Sequence, residues 1–252
     1  MRGETEKNCL LEVKEFLFCN KERRFIKMRT DDFSEVSDDE VLSQISELIS
    51  IHRDSYHGMK FEDIKEVFQL LLSAKPNPNL SKFPDFIGED GIIEHFQVTS
   101  SQETKKGAKE EIAKGNYDRV NKPKQEAFYN YCNENPSPDS VRTCHLPERK
   151  MEKCSHANLI ASLKKQFEKH ICSLDKYAGK PQIKVFMIEG DYGLYMVKNL
   201  SPESINEYSE ILSNYHLSRD KYLLNYIYQF KDKIDYVIYN LHEAAEVIKV
   251  SN

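Results

Sequence analysis

The 252-residue chain contains no tryptophan, so its aromatic packing falls to 14 tyrosines and 13 phenylalanines. It has no stretch approaching the roughly 18 apolar residues of a membrane-crossing helix, which excludes an integral helical membrane protein. Its first residues, MRGETEKNCLLEVKEF, lack the apolar centre of a secretory leader. Six cysteines without such a leader are expected as reduced thiols in a cytoplasm. A net charge of −5 excludes a protein coated in basic charge but leaves room for a local basic groove. There is no Gly-x-Ser-x-Gly nucleophile turn, no glycine loop built to cradle phosphate, no Cys-x-x-Cys pair, no internal repeat and no low-complexity segment. With 39% hydrophobic and 31% charged residues, what remains is a globular chain with a polar surface and room for one core.

The hydrophobic spacing predicts helices and strands in alternation. Val41, Ile45 and Leu48 recur at helical spacing over 38–52, after an acidic first turn. Phe61, Ile64, Val67 or Phe68, and Leu71 mark a second helix over 60–74, ended by Pro76 and Pro78. Two strands, 82–87 and 91–99, flank a turn at Gly88-Glu89-Asp90-Gly91. Residues 102–156 read as a polar insertion, helical at its start. Ile160, Leu163, Phe167, Ile171 and Leu174 form the seam of a long helix over 157–174. Strands are expected at 183–190 and 192–197, paired with each other. Helices follow at 201–212 and 219–233, and strands at 235–241 and 245–250. The fold class is α/β (α+β), one mixed central sheet flanked by helices in a single domain over 1–252, with a C-terminal extension from 198.

One stretch carries chemistry. Ile92, Ile93, Phe96 and Val98 make a buried strand, yet Glu94 sits in its middle, and Asp85 ends the strand across the turn. A buried charge costs several kcal/mol, roughly, unless it is paired or bound to metal. Two carboxylates brought together by a hairpin repel each other unless a divalent cation lies between them. Mg²⁺ suits one or two carboxylates plus waters, and such an ion activates water and neutralises charge on a phosphate. The plainer reading pairs Glu94 with an Arg or Lys from a neighbouring element and puts His95 and Gln97 on the solvent side of an edge strand.

Pro84-Asp85 followed by Glu94 on an apolar strand resembles the PD-(D/E)xK, or restriction-endonuclease-like, nuclease superfamily. The order helix, strand meander, helix, strand over about 60–190 is similar to that family's core. The resemblance implies a Mg²⁺- or Mn²⁺-dependent endonuclease acting on DNA, in restriction or phage defence. It implies Asp85, Glu94 and the carbonyl of His95 as metal ligands, with Glu66 or Glu62 as the acidic residue of the preceding helix. The family's lysine, two residues after the glutamate, is replaced here by Phe96. Gln97, Lys105 or Lys106 could take its role. Otherwise the chain is an inactive, nuclease-like binding module serving in a protein or nucleic-acid complex.

Other features are weighed beside this. Cys132, Cys144, His145, Cys154 and His156 are candidates for a structural zinc ion. The basic runs 21–29, 105–109 and 119–124 are candidates for phosphate contacts and otherwise solvated faces. Tyr222 and Tyr226 suggest helix packing rather than a base-stacking platform. Expected partners are DNA, and a second copy or another protein.

Overall fold

The computed structural model describes residues 2–18, 52–79, 81–105, 107–136, 142–147, 153–190, 195–197, 211–241 and 244–252. The helix expected over 38–52, the basic run 21–29 and most of the helix expected over 201–212 lie outside the described residues, as does Lys106.

The fold is mixed α/β, a seven-stranded mixed sheet flanked by helices. In chain order the strands of that sheet are β1 (Tyr56–His57), β2 (Lys75–Pro76), β3 (Phe86–Ile87), β4 (Gly91–Gln97), β7 (Ile183–Glu189), β10 (Tyr236–Asn240) and β11 (Ala245–Lys249). Their spatial order is β1-β11-β10-β7-β4-β3-β2. β2, β3 and β4 form an antiparallel meander, β4, β7 and β10 run parallel, and β11 returns antiparallel beside β10. Two small hairpins stand apart: β5 (Glu103–Thr104) with β6 (Gly107–Ala108), and β8 (Tyr195–Val197) with β9 (Ile211–Asn214). The expected pairing of 192–197 with 183–190 is therefore corrected. β7 is already flanked on both edges by β4 and β10, and β8 pairs with β9.

Each face of the sheet has its own core. On one face lie α1 (Arg2–Phe18) and α2 (Phe61–Ser73), which bury Val13, Leu17, Ile64, Val67, Phe68 and Leu71 against Phe86, Ile93, Val185, Met187 and Ile238. On the other lie α4 (His156–Asp175) and the short α5 (Lys221–Ile227), which bury Leu163, Phe167, Ile171, Leu223 and Ile227 against Phe96, Phe186, Ile188 and Val237. The heptad-like seam of α4 is what gives it a continuous apolar face. Ser155 caps its start, its hydroxyl accepting from the Asn158 N–H at 3.2 Å. Asp220 caps α5, accepting from the Tyr222 and Leu223 N–H groups.

The polar segment 102–156 holds a longer helix than the sequence suggests: α3 (Lys109–Glu134) runs 26 residues through Pro123 and buries only Asn121. It is polar all round, so no amphipathic stripe announces it. The basic run 119–124 lies on this exposed helix. The strand expected over 82–87 shortens to two residues, because Asn77 holds the segment before it. Asn77 Nδ2 donates to the Pro84 carbonyl at 2.7 Å and Asn77 N–H to the Asp85 carbonyl at 2.8 Å.

Candidate functional site

β4 is the strand on which the site is built. It is interior, with β3 on one edge and β7 on the other, and six of its seven residues are buried. The expectation that His95 and Gln97 face solvent from an edge strand is thus wrong for His95, which is buried against the α1 side. Alternation along the strand sends Glu94 and Phe96 toward α4, and Ile93, His95 and Gln97 toward α1 and α2.

Asp85 and Glu94 meet at the β3–β4 edge in a reciprocal clamp. The Asp85 N–H donates to Glu94 Oε2 at 3.1 Å, and the His95 N–H donates to Asp85 Oδ2 at 2.9 Å. Each carboxylate thus reaches the backbone of the other's strand, and both are buried, at 7% and 3% exposure. The clamp follows from the hairpin. Gly88 N–H closes the turn on the Gly91 carbonyl at 2.9 Å, and Phe86 then pairs with Ile93.

Glu94 has a side-chain partner that sequence reading did not identify. His170 Nδ1, from α4, lies 2.6 Å from Glu94 Oε1. The His170 ring stacks on Phe96, with ring centroids 4.6 Å apart and planes 10° from parallel. Phe96, two residues after Glu94, thus stacks on the imidazole that contacts the glutamate. The available signal was a titratable residue inside an apolar seam, since His170 follows Phe167 by three and Leu163 by seven.

The other proposed residues separate. Gln97 Nε2 donates to Glu189 Oε2 at 2.9 Å on the face opposite Glu94. Glu66 does not join the pair: it accepts from the Tyr236 hydroxyl at 3.1 Å, on α2 and so on the far face of the sheet. Glu62 is exposed on the same helix. Lys105 is exposed in the β5–β6 turn. Among the described residues the five candidate zinc ligands do not assemble: Cys144 is exposed, and His156 is bonded to Asp220 at 2.5 Å.

A cleft of about 300 Å³ opens beside the end of β4, lined among others by Glu6 of α1, His95, Phe96, Gln97, and Lys169 and His170 of α4. It reaches both faces of the strand. Lys169 brings an exposed cation to its wall. A cleft outside the carboxyl ends of parallel strands is where ligands bind in open α/β sheets.

On the α1 side, the ends of the three parallel strands carry a polar row. Gln97 pairs with Glu189 across β4–β7, and Glu189 with Asn240 across β7–β10. His95 Nε2 lies 3.1 Å from Glu189 Oε2. Asn240 Nδ2 reaches Cys9 Sγ at 3.4 Å and Glu12 Oε2 at 3.2 Å. Burial pushes the Cys9 thiol up to about 12, and the negative charges of Glu189 and Glu12 add to it, against the hydrogen bond from Asn240.

Comparison of the chain with protein-family models, with curated proteins and with solved structures finds no match in any of the three. Among the described residues no helix is long and apolar enough to cross a membrane.

Proposed function

We propose that the chain is a metal-dependent nuclease of the restriction-endonuclease-like type, with Asp85 and Glu94 holding Mg²⁺ or Mn²⁺. The observation that carries this reading is the Asp85–Glu94 clamp at the junction of an antiparallel meander with a parallel strand. The surrounding order supports it: α2, the β2–β3–β4 meander, α4, then β7 parallel to β4.

The donor set fits the ion. Two carboxylates are hard oxygen ligands, which Mg²⁺ and Mn²⁺ prefer, and a divalent cation would offset the repulsion between them. Such an ion supplies an activated water and offsets charge on a phosphodiester. The chain does the rest. The N–H groups of Asp85 and His95 orient the carboxylates. His170, stacked on Phe96, fixes Glu94 Oε1 and serves in place of a strand lysine. Lys169 lies in the cleft wall, where a substrate phosphate would meet a positive charge. The exposed basic run of α3 adds a salt-sensitive backbone contact. DNA is the substrate we infer, in the setting of restriction or phage defence, within a cytoplasm.

A second reading, a nuclease-like module that binds without cutting, is favoured by one observation: His170 already occupies Glu94, and the strand carries Phe96 in place of the lysine. The two are separated by incubating the protein with supercoiled plasmid and with single-stranded DNA under Mg²⁺, Mn²⁺ or chelator. Cleavage that chelator stops supports the nuclease. Retention of DNA without nicking under either ion supports the binding module.

A further inference from the structure

We propose that Cys9, His95 and Glu189 form a binding site for a divalent transition metal of the zinc class, distinct from the Asp85–Glu94 pair. Cys9 Sγ, a ring nitrogen of His95 and a carboxylate oxygen of Glu189 all lie within 4.8 Å of one another. The three residues are 2%, 6% and 8% exposed. They come from three elements, α1, β4 and β7, so their convergence is a product of the tertiary fold.

The chemistry selects the ion. A thiolate, an imidazole and a carboxylate are the ligand types zinc takes, at about 2.3, 2.0–2.1 and 2.0–2.2 Å. Ligands around a tetrahedral ion at those lengths stand a little over 3 Å apart, by simple geometry from the same bond lengths. The 3.1 Å between His95 Nε2 and Glu189 Oε2 is already close to that. Mg²⁺ is a poor competitor, because a thiolate is too soft for it.

The surroundings are those of a ligand set held for metal. Gln97 Nε2 donates to Glu189 Oε2 and Asn240 Nδ2 approaches Cys9 Sγ, so two amides orient two of the three ligands. Metal binding releases the Cys9 thiol proton to solvent and joins the three buried groups. Of the three residues, His95 also lines the cleft beside the end of β4. Binding ties α1 to the ends of β4 and β7.

Cobalt(II) is the spectroscopic probe. The full-length chain, freed of metal by chelator and dialysis, is titrated with Co²⁺ and then with Zn²⁺ or Mg²⁺. The expected result is a thiolate-to-cobalt charge-transfer band that saturates at one Co²⁺ per chain when the Asp85–Glu94 pair is kept occupied by excess Mg²⁺, and that an equivalent of Zn²⁺ displaces. The band persists in a chain whose other cysteines, Cys19, Cys132, Cys144, Cys154 and Cys172, are serine, and in Asp85→Asn. It disappears in Cys9→Ser. Glu189→Gln, which keeps the thiol and the side-chain shape, weakens Co²⁺ binding by more than about tenfold. Absence of the band in the native chain, its survival in Cys9→Ser, or its loss in the chain with Cys9 alone overturns the proposal. If Cys9→Ser does not fold, unchanged Co²⁺ affinity in Glu189→Gln overturns it. Because Asp85→Asn tests the other pair, failure here leaves the nuclease reading standing, and the converse holds.

Discussion

His170 on α4 contacts Glu94 on β4 at 2.6 Å, and the contact is buried on both sides, with side-chain exposures of 6% and 4%. An ionised Glu94 can only accept, and this contact then requires a ring proton on Nδ1. Removing either group takes this partner from a buried polar group of the other. His170→Ala should lower unfolding stability by about 3 kcal/mol, in the range for breaking a buried pair. Glu94→Gln combined with His170→Ala should show a coupling of about 1–3 kcal/mol in a double-mutant cycle read by urea denaturation. Strict additivity of the two single changes would mean that the contact carries no energy.

Gly91 opens β4 where it first pairs with Ile183 of β7. A Cβ placed there would stand 2.5 Å from the Ile183 carbonyl oxygen, a backbone atom that cannot swing away. Gly91→Ala should therefore destabilise the protein by about 1–3 kcal/mol through forced displacement of the strands. The check is the denaturation midpoint, with Gly115→Ala as the control, since nothing lies within 4 Å of a Cβ there. That control should be neutral or stabilising, by up to about 1 kcal/mol for glycine to alanine inside a helix.

Much of this architecture was readable in the residues. The α2 and α4 stripes, the turn at Gly88–Gly91 and the strands around Glu94 and Ile238 follow from periodicity and turn chemistry. The adjacency of Asp85 and Glu94 followed from the hairpin alone. What periodicity could not show is which distant element faces a given strand. His170 is 76 residues from Glu94, and Glu189 is 94 residues from His95. Nothing in the local sequence around Cys9 shows that α1 brings it to the strand ends, beside His95 and Glu189. The length of α3 was hidden because a helix polar on every side has no hydrophobic period to read.

Glu246 makes stability depend on acid. Burial alone would raise its pKa, but contacts from His57, from the Ser218 hydroxyl and N–H and from His216 hold it down at about 2. Its folded pKa is below the unfolded one, so its stabilisation is present above roughly pH 4.5 and is lost as pH falls toward about 2. The loss should be on the order of 2–3 kcal/mol. Glu246→Gln should flatten the fall in stability over that window. An unchanged acid profile in the variant would remove Glu246 from the explanation.

The claim on which the functional account rests is that Asp85 and Glu94 jointly hold a hydrolytic cation. Its most direct measurement is the rate of plasmid nicking as a function of Mn²⁺ for the native chain, Asp85→Asn and Glu94→Gln, each confirmed folded by circular dichroism. The account predicts saturable, Mn²⁺-dependent nicking by the native chain and a loss of more than about 100-fold in each variant, beyond what removal of an outer-shell partner causes. Nicking by either variant at the native rate, or none by the native chain with Mg²⁺ or Mn²⁺, would contradict it.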